Sequence, residues 1–310
     1  MIMIGQNWIG CDVSKQTLDF FDAGQGRHCR IANEESAVAA FAGQLRAGLD
    51  FVVMEATGSY DRLLRHKLSD GGIAFSRHNP EHTHHFAKSA ARRAKTDRLD
   101  AVMLADYGRL HTPAADPVPD RKRERLQALA RRRDQLVEIR ARQKKQLAEA
   151  FDADVAADIE ALVALLDQRV CALEAIIRQA IDEAGTAADD LAIMISAPGV
   201  GSVTALTLIA HMPELGHRSP KAIAALAGLA PIDNASGKKK HRSSIAAGRS
   251  RVRRALYMAA LASIKARSRF KAAYDAIAAR SGSKKVAIIA VARKLLVSLN
   301  AMIRDRKHFA

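Results

Sequence analysis

The sequence predicts an α/β N-terminal domain, a helical connector and a mainly α C-terminal domain. Three observations carry that expectation. Apolar runs of strand length alternate with amphipathic helical patterns through residues 1–115, the order expected of an α/β domain with a mixed sheet. Two much longer helical patterns occupy 120–187, and shorter apolar helices separated by glycines and basic loops fill 190–310. With 310 residues and 48% hydrophobic content, the chain can build two domains with real cores and a connector.

Trp8 to Val13 reads as a strand, Thr17 to Phe21 as its hairpin partner, and Arg30 to Ala32 as a third strand. A helix should follow, with Asn33 as its N-cap and Val38, Phe41 and Leu45 on its apolar face. Phe51 to Ala56 is almost wholly apolar, as a strand buried on both faces should be. Ser59 to Leu68 reads as helix, Ile73 to Ser76 as a short strand, and His78 to Ala94 as a polar, His-rich lead-in to a helix from Asp97 to His111. Pro113, Pro117 and Pro119 mark 112–120 as a linker. Beyond it, 121–150 and 155–184 repeat apolar residues at helical spacing, among them Leu126, Leu136, Leu166 and Val170. Such a seam suits either a helical hairpin within one subunit or a coiled coil that joins subunits.

Four carboxylates in the first domain stand out. Asp97 and Asp100 share one helix face, with Cβ atoms about 5–6 Å apart. Carboxylates that close repel unless they share a cation. Lys95 and Arg98 flank them, so surface ion pairs are a simpler explanation of this pair alone. Asp12 lies in the first strand and Glu55 ends the most apolar one. A carboxylate at the end of a buried strand is costly unless it is paired or bound to metal. Each alone has a structural explanation, as a turn acid for Asp12 and as an ion pair with Arg62 or Arg65 for Glu55. Together the four acids form the donor set that two-metal phosphoryl transfer requires, with ions roughly 3.5–4 Å apart. Such oxygens favour magnesium, with manganese as a substitute. His82, His84 and His85 match no zinc spacing and suit phosphate contact or plain surface better.

Charge divides the chain unevenly. From Ser236 onward there are 20 Lys and Arg residues against two acids, Asp275 and Asp305, out of a chain total of 49 bases and 33 acids. A basic C-terminal quarter on a near-neutral remainder points to a polyanion, and bases spread over several helices suit nucleic acid better than a membrane surface. Low aromatic content, 5%, argues against a binder built on base stacking. Leu191 to Met212 lacks charge and approaches membrane-spanning length, but Pro198, Gly199 and Gly201 break it into two helices of a buried core. No secretory leader is expected from Met1 to Gly10. Cys11, Cys29 and Cys171 offer no metal or disulfide spacing, consistent with a reducing compartment.

In the second half, Pro198-Gly199-Val200-Gly201 resembles a helix-hairpin-helix turn, whose backbone N–H groups point at a phosphate. A Gly-containing, intensely basic loop follows, with Ser236, Lys238, Lys239, Lys240 and Arg242, then Arg249, Arg253 and Arg254. With Lys95, Arg98, Gly199 and Gly201, these bases are the candidate nucleic-acid contacts. It is not a P-loop, and on local grounds Ser236 is an ordinary turn residue. Helices are expected over 221–229, 254–271 and 283–302.

Gly10-Cys11-Asp12-Val13-Ser14-Lys15, Met54-Glu55-Ala56-Thr57-Gly58-Ser59-Tyr60 and Lys95-Thr96-Asp97-Arg98-Leu99-Asp100-Ala101 resemble the N-terminal signatures of the DEDD insertion-sequence transposases. Pro198-Gly199-Val200-Gly201, Gly228-Leu229-Ala230-Pro231, Ser236-Gly237, Gly248-Arg249 and Arg254-Ala255-Leu256-Tyr257-Met258 extend the likeness over nearly the whole chain. The resemblance implies an RNase H-fold (RuvC-like) domain at 1–115, a coiled-coil connector at 120–187 and a C-terminal transposase domain at 190–310. It implies an oligomeric, cytoplasmic, nucleoid-associated recombinase acting on DNA, guided in some relatives by a noncoding bridge RNA. The metal-binding acids fall on Asp12, Glu55, Asp97 and Asp100, and the nucleophile that forms a phosphoserine bond to DNA falls on Ser236. His241 and Ala247 depart from the pattern by standing where glycines are expected, and Cys11 replaces a more usual Ile or Leu. The rival readings are a RuvC-like nuclease or junction resolvase using metal-activated water, and a nucleic-acid-binding protein without enzymatic activity.

Overall fold

A computed structural model describes residues 6–89, 96–183, 186–232, 235–236, 239–240, 244–245, 247–266 and 268–309. At 186, 232, 235–236, 239–240 and 244 only the backbone is described. The chain separates into two compact units, Met1–Pro119 and Asp120–Ala310.

The first unit runs β1 (Asn7–Val13), β2 (Thr17–Asp22), β3 (Arg27–Ala32), α1 (Glu35–Ala42), β4 (Asp50–Glu55), α2 (Arg62–Asp70), β5 (Ala74–His78), α3 (Pro80–Ser89) and α4 (Asp97–His111). Its sheet has the order β3-β2-β1-β4-β5, with β1 to β3 an antiparallel meander and β4 and β5 parallel to β1. Strand alternation divides the side chains between two faces. Ile9, Cys11, Val13, Val52 and Met54 form one core with Val38, Leu64 and Leu68 of α1 and α2. Trp8, Phe51 and Val53 form the other with Met103 and Leu104 of α4.

Two glycines let α4 lie directly on the sheet. A Cβ at Gly10 would stand 1.9 Å from the carbonyl oxygen of Ala101, and one at Gly108 would stand 2.6 Å from the Trp8 ring. Two expectations are corrected in this unit. The N-cap of α1 is Glu34, one residue after the expected Asn33, whose amide nitrogen donates to the carbonyls of Ser14 at 3.0 Å and Tyr60 at 2.9 Å. Part of the His-rich lead-in is α3, opened by Pro80, whose missing N–H costs nothing at a helix start.

In the second unit α5 (Arg121–Glu149) and α6 (Ala153–Asp182) pack along one another, with Leu136, Leu166 and Val170 between them. Then come α7 (Thr186–Ile195), α8 (Ser202–His211), α9 (Pro220–Leu226), four two-residue strands (β6 Pro231–Ile232, β7 Ala235–Ser236, β8 Lys239–Lys240, β9 Ser244–Ile245), α10 (Ser250–Lys265), α11 (Arg269–Ser281) and α12 (Lys284–Asp305). One apolar core gathers Ile181, Met194, Leu208, Ile223, Leu256, Phe270 and Leu295 from these helices. Leu191 to Met212 lies within this core, as expected. The helix expected over 254–271 begins earlier, at Ser250, and stops at Lys265, where Ser268 caps a separate α11 by accepting from Phe270 N–H.

Among the described residues α12 alone is long and apolar enough to cross a membrane. Ala287, Val291, Leu295 and Leu299 on it are fully buried in the core. The buried Asn300 amide also ties it to the α8–α9 connection, accepting from Gly216 N–H and donating to the Arg218 carbonyl. These contacts are those of a core helix.

Candidate active site

In the first unit, register brings the predicted acids together. Asp12 pairs across β1–β2 with Asp19, and Asp19 pairs across β2–β3 with Arg30. On the other side, Glu55 stands one step beyond the Cys11–Met54 pair, and Glu55 pairs with His78. A single polar row, Arg30-Asp19-Asp12-Glu55-His78, therefore crosses all five strands of the sheet. Asp12 has the parity of Trp8 and Gly10, and Glu55 that of Phe51 and Val53. Both acids thus belong to the face that α4 covers.

The first turn of α4 carries Asp97 and Asp100 to the same place. Thr96 caps the helix by accepting from Leu99 N–H, and the positive end of the helix dipole favours acids there. Burial and the charges of Asp100, Asp97, Glu55 and Asp19, in that order, push the half-buried Asp12 carboxyl up to about 6. Asp12 therefore feels every other carboxylate of the predicted set.

Two of the acids, Asp97 and Glu55, also have a partner that the pattern of residues did not reveal. Arg30 bridges two of the carboxylates, donating to Asp19 at 2.7 Å and to Asp97 at 2.9 Å. Thr83 of α3, fully buried, donates to Glu55 at 2.5 Å. The ion pair suggested between Glu55 and Arg62 or Arg65 is not what holds Glu55. Arg65 instead faces the buried Asp61, which Arg77 also approaches. Among the described residues no three His, Cys, Asp or Glu side chains converge on one point at metal-ligand distance. The donor chemistry is nevertheless that of a hard divalent cation, whose charge would relieve the repulsion felt at Asp12. Arg98 is exposed beside these acids, and Lys95 lies outside the described residues.

In the second unit, the loop after α9 is a nested hairpin. β6 pairs with β9 at its base, and β7 pairs with β8 inside it, setting Ser236 opposite Lys239. Lys238, His241 and Arg242 lie outside the described residues, and for Ser236, Lys239 and Lys240 only the backbone is described. The base of the loop is tightly closed. A Cβ at Gly228 would meet the Ala247 carbonyl at 2.4 Å, and one at Gly248 would meet Gly228 N at 2.3 Å. Gly248 and Ala247 both have left-handed backbone, φ +66° and +56°. The glycine expected at 247 is thus a geometric preference of the loop, and alanine bears a cost of about 1 kcal/mol there.

The arginines after the loop fasten it to the helices. Arg249 donates both ends of its guanidinium to Glu214, at 2.6 and 2.7 Å, and also reaches the His211 carbonyl at 2.8 Å. Burial alone would raise the Glu214 carboxyl, but these bonds hold it below its ordinary value. Arg253 bonds the carbonyls of Ala247 at 2.7 Å and Gly228 at 3.4 Å, spanning the base of the loop. Arg251 pairs with Asp134 and Arg254 with Glu138, joining α10 to α5, and Arg254 stays largely exposed. Gly199 has φ +80°, and its missing Cβ leaves room for the backbone of Ala259 and Ser263 on α10. Gly201 is exposed at the N-terminus of α8.

Both units contain sequence that matches known proteins. Residues 9–156 match a family model described as a transposase, and residues 191–275 match one described as the transposase IS116/IS110/IS902 family. The chain belongs to the IS110-type transposases. As members of that family are, it is an enzyme of DNA recombination. It is similar to the pilin gene-inverting proteins of Moraxella bovis and Moraxella lacunata, each 28% identical over 99% of this chain and 98% of theirs. An IS110 insertion-element protein of Streptomyces coelicolor, described as an uncharacterized 43.6 kDa protein, is 34% identical over 116 residues, 36% of this chain and 28% of its own. The polar row of the sheet lies within the first matched region, and the Ser236 loop lies within the second.

Proposed function

We propose that this transposase cuts and rejoins DNA through a covalent phosphoserine intermediate, with Asp12, Glu55, Asp97 and Asp100 as its metal ligands and Ser236 as its nucleophile. The observation that carries the reading is the gathering of the four acids under the N-terminus of α4. There the acids of the sheet row and of one helix turn offer hard oxygen donors, and Asp12 responds to Asp100, Asp97 and Glu55. Bound there, magnesium or manganese would supply positive charge to the transferring phosphoryl group.

The protein's own part is positional. Ser236 Oγ forms a bond to the phosphorus of a DNA phosphodiester as the bond from phosphorus to the 3′-oxygen breaks. The serine proton leaves to solvent or base, and the 3′-oxygen takes one up. Rejoining reverses these steps with a new 3′-hydroxyl, so the phosphoserine stores the bond energy and no nucleotide cofactor is consumed. The full-length likeness to proteins named for gene inversion supports rejoining over simple hydrolysis.

The partner set follows from the same reading. DNA is the substrate, and a noncoding bridge RNA that pairs with donor and target DNA is the proposed guide. Lys95, Arg98, Gly201, Lys238, Lys239, Lys240, Arg242 and Arg254 are its proposed contacts. The turn at Gly199 keeps the proposed helix-hairpin-helix role through the backbone of its neighbours. Arg249 and Arg253 serve the same surface by holding the loop. Cytoplasmic, nucleoid-associated action fits such contacts.

A reporter flanked by the element's own ends tests the activity in cells. Asp12→Asn and Asp97→Asn should each lower excision and inversion about 1,000-fold at unchanged protein level, in line with loss of a group that acts in the transition state. Retained recombination in Asp97→Asn would remove that acid from the site.

A homo-oligomer joined by α6 is part of the proposal. Val155, Leu162, Leu165 and Ile176 of α6 remain exposed after α5 has packed against it. They recur at heptad-like steps, which is the seam of a coiled coil completed by a second copy. Leu162→Glu combined with Leu165→Glu should lower the mass measured by light scattering to that of a smaller assembly. An unchanged mass would exclude this seam.

A further inference from the structure

A groove between α11 and α12 belongs to none of the surfaces above. It has a volume of about 570 Å3 and is lined by Arg269, Phe270, Ala273, Ala290, Arg293, Lys294, Val297 and Ser298. Its floor is open because the facing positions, Ala273, Ala290 and Ser298, are small. Its charged groups are all cations, and it contains no carboxylate. On α11, Asp275 is already engaged with Lys271. Among the described residues Arg269, Arg293 and Lys294 form no ion pair.

Arg269 is held in a particular way. Its guanidinium carbon lies 4.2 Å from the centre of the Phe309 ring and 5.6 Å from that of Phe270, within cation–π range of both. A cation–π contact restrains the guanidinium while leaving its N–H donors, none of which bonds to a described residue, to meet an oxygen anion. Three cations around one open groove complement an anionic partner with repeated charges. Phe270 is buried and Phe309 lies under Arg269, which leaves no aromatic surface on which unstacked bases could rest. The chemistry is that of phosphates on an intact duplex, read without regard to sequence.

We infer that the α11–α12 groove, through Arg269, Arg293 and Lys294, seats the phosphate backbone of double-stranded DNA during recombination. The inference rests on the DNA-recombinase reading. It adds a second, sequence-independent hold on the duplex, separate from the Ser236 loop, and α12 itself lies beyond the matched transposase regions.

The test is anisotropy titration of the full-length protein with an arbitrary-sequence 30-bp duplex over a salt series. Each lost phosphate contact should make the slope of log affinity against log salt shallower by roughly 0.9. Arg293→Gln with Lys294→Gln should therefore flatten it by about 1.8, equally for several sequences. Arg269→Gln should flatten it by about 0.9, and circular dichroism melting should be close to wild type for the double variant. A wild-type slope in the double variant, with wild-type protein binding normally, overturns the groove alone. Failure of the wild-type protein to bind any duplex overturns the DNA reading and the groove together. Loss of single-stranded RNA binding with duplex binding intact overturns the duplex assignment.

Discussion

Gly10→Ala should lower recombination about 100-fold or more without touching any acid of the site. The added Cβ would lie 1.9 Å from the Ala101 carbonyl, where ordinary contact begins at about 3.4 Å. Helix α4 must then rise from β1 by more than an ångström, taking Asp97 and Asp100 with it. Misplacement on that scale typically costs on the order of 100-fold in rate. The stability cost should stay at about 1–3 kcal/mol, because the apolar contacts of α4 can partly re-form. A melting curve and the reporter assay on the same variant separate the two effects. Near-normal activity in a folded Gly10→Ala protein would mean that the approach of α4 to β1 does not set the geometry of the acids.

Much of this arrangement was readable in the sequence. The strands follow from apolar spacing, and their two-residue alternation sets Asp12 with Trp8 and Gly10, and Glu55 with Phe51 and Val53. What spacing cannot give is register between strands distant in sequence. Asp19 and Arg30 are ordinary residues of two short strands until pairing sets them beside Asp12. Thr83 was hidden for a different reason. It lies in a His-rich polar stretch with little apolar period, and only its burial against Glu55 distinguishes it.

The basic C-terminal quarter shows the same limit. Sequence reveals charge but not the partner of that charge. Arg249 looked like its neighbours and proves to be fastened to Glu214, some 35 residues away. Arg293 and Lys294 are inconspicuous in an apolar helix, yet they line an open groove and form no ion pair among the described residues. Glycine chemistry was more legible, since the glycine expected at 247 matches a left-handed backbone that alanine now adopts.

The second large effect concerns Ser236 and the central claim of covalent catalysis. Incubating the protein with its DNA and magnesium, then separating the products under denaturing conditions, measures it directly. Covalent catalysis by Ser236 should give a covalent protein–DNA adduct with the wild-type chain, greatly reduced in Asp97→Asn and absent in Ser236→Ala. Cleaved DNA without any adduct, or an adduct that persists in Ser236→Ala, would contradict it.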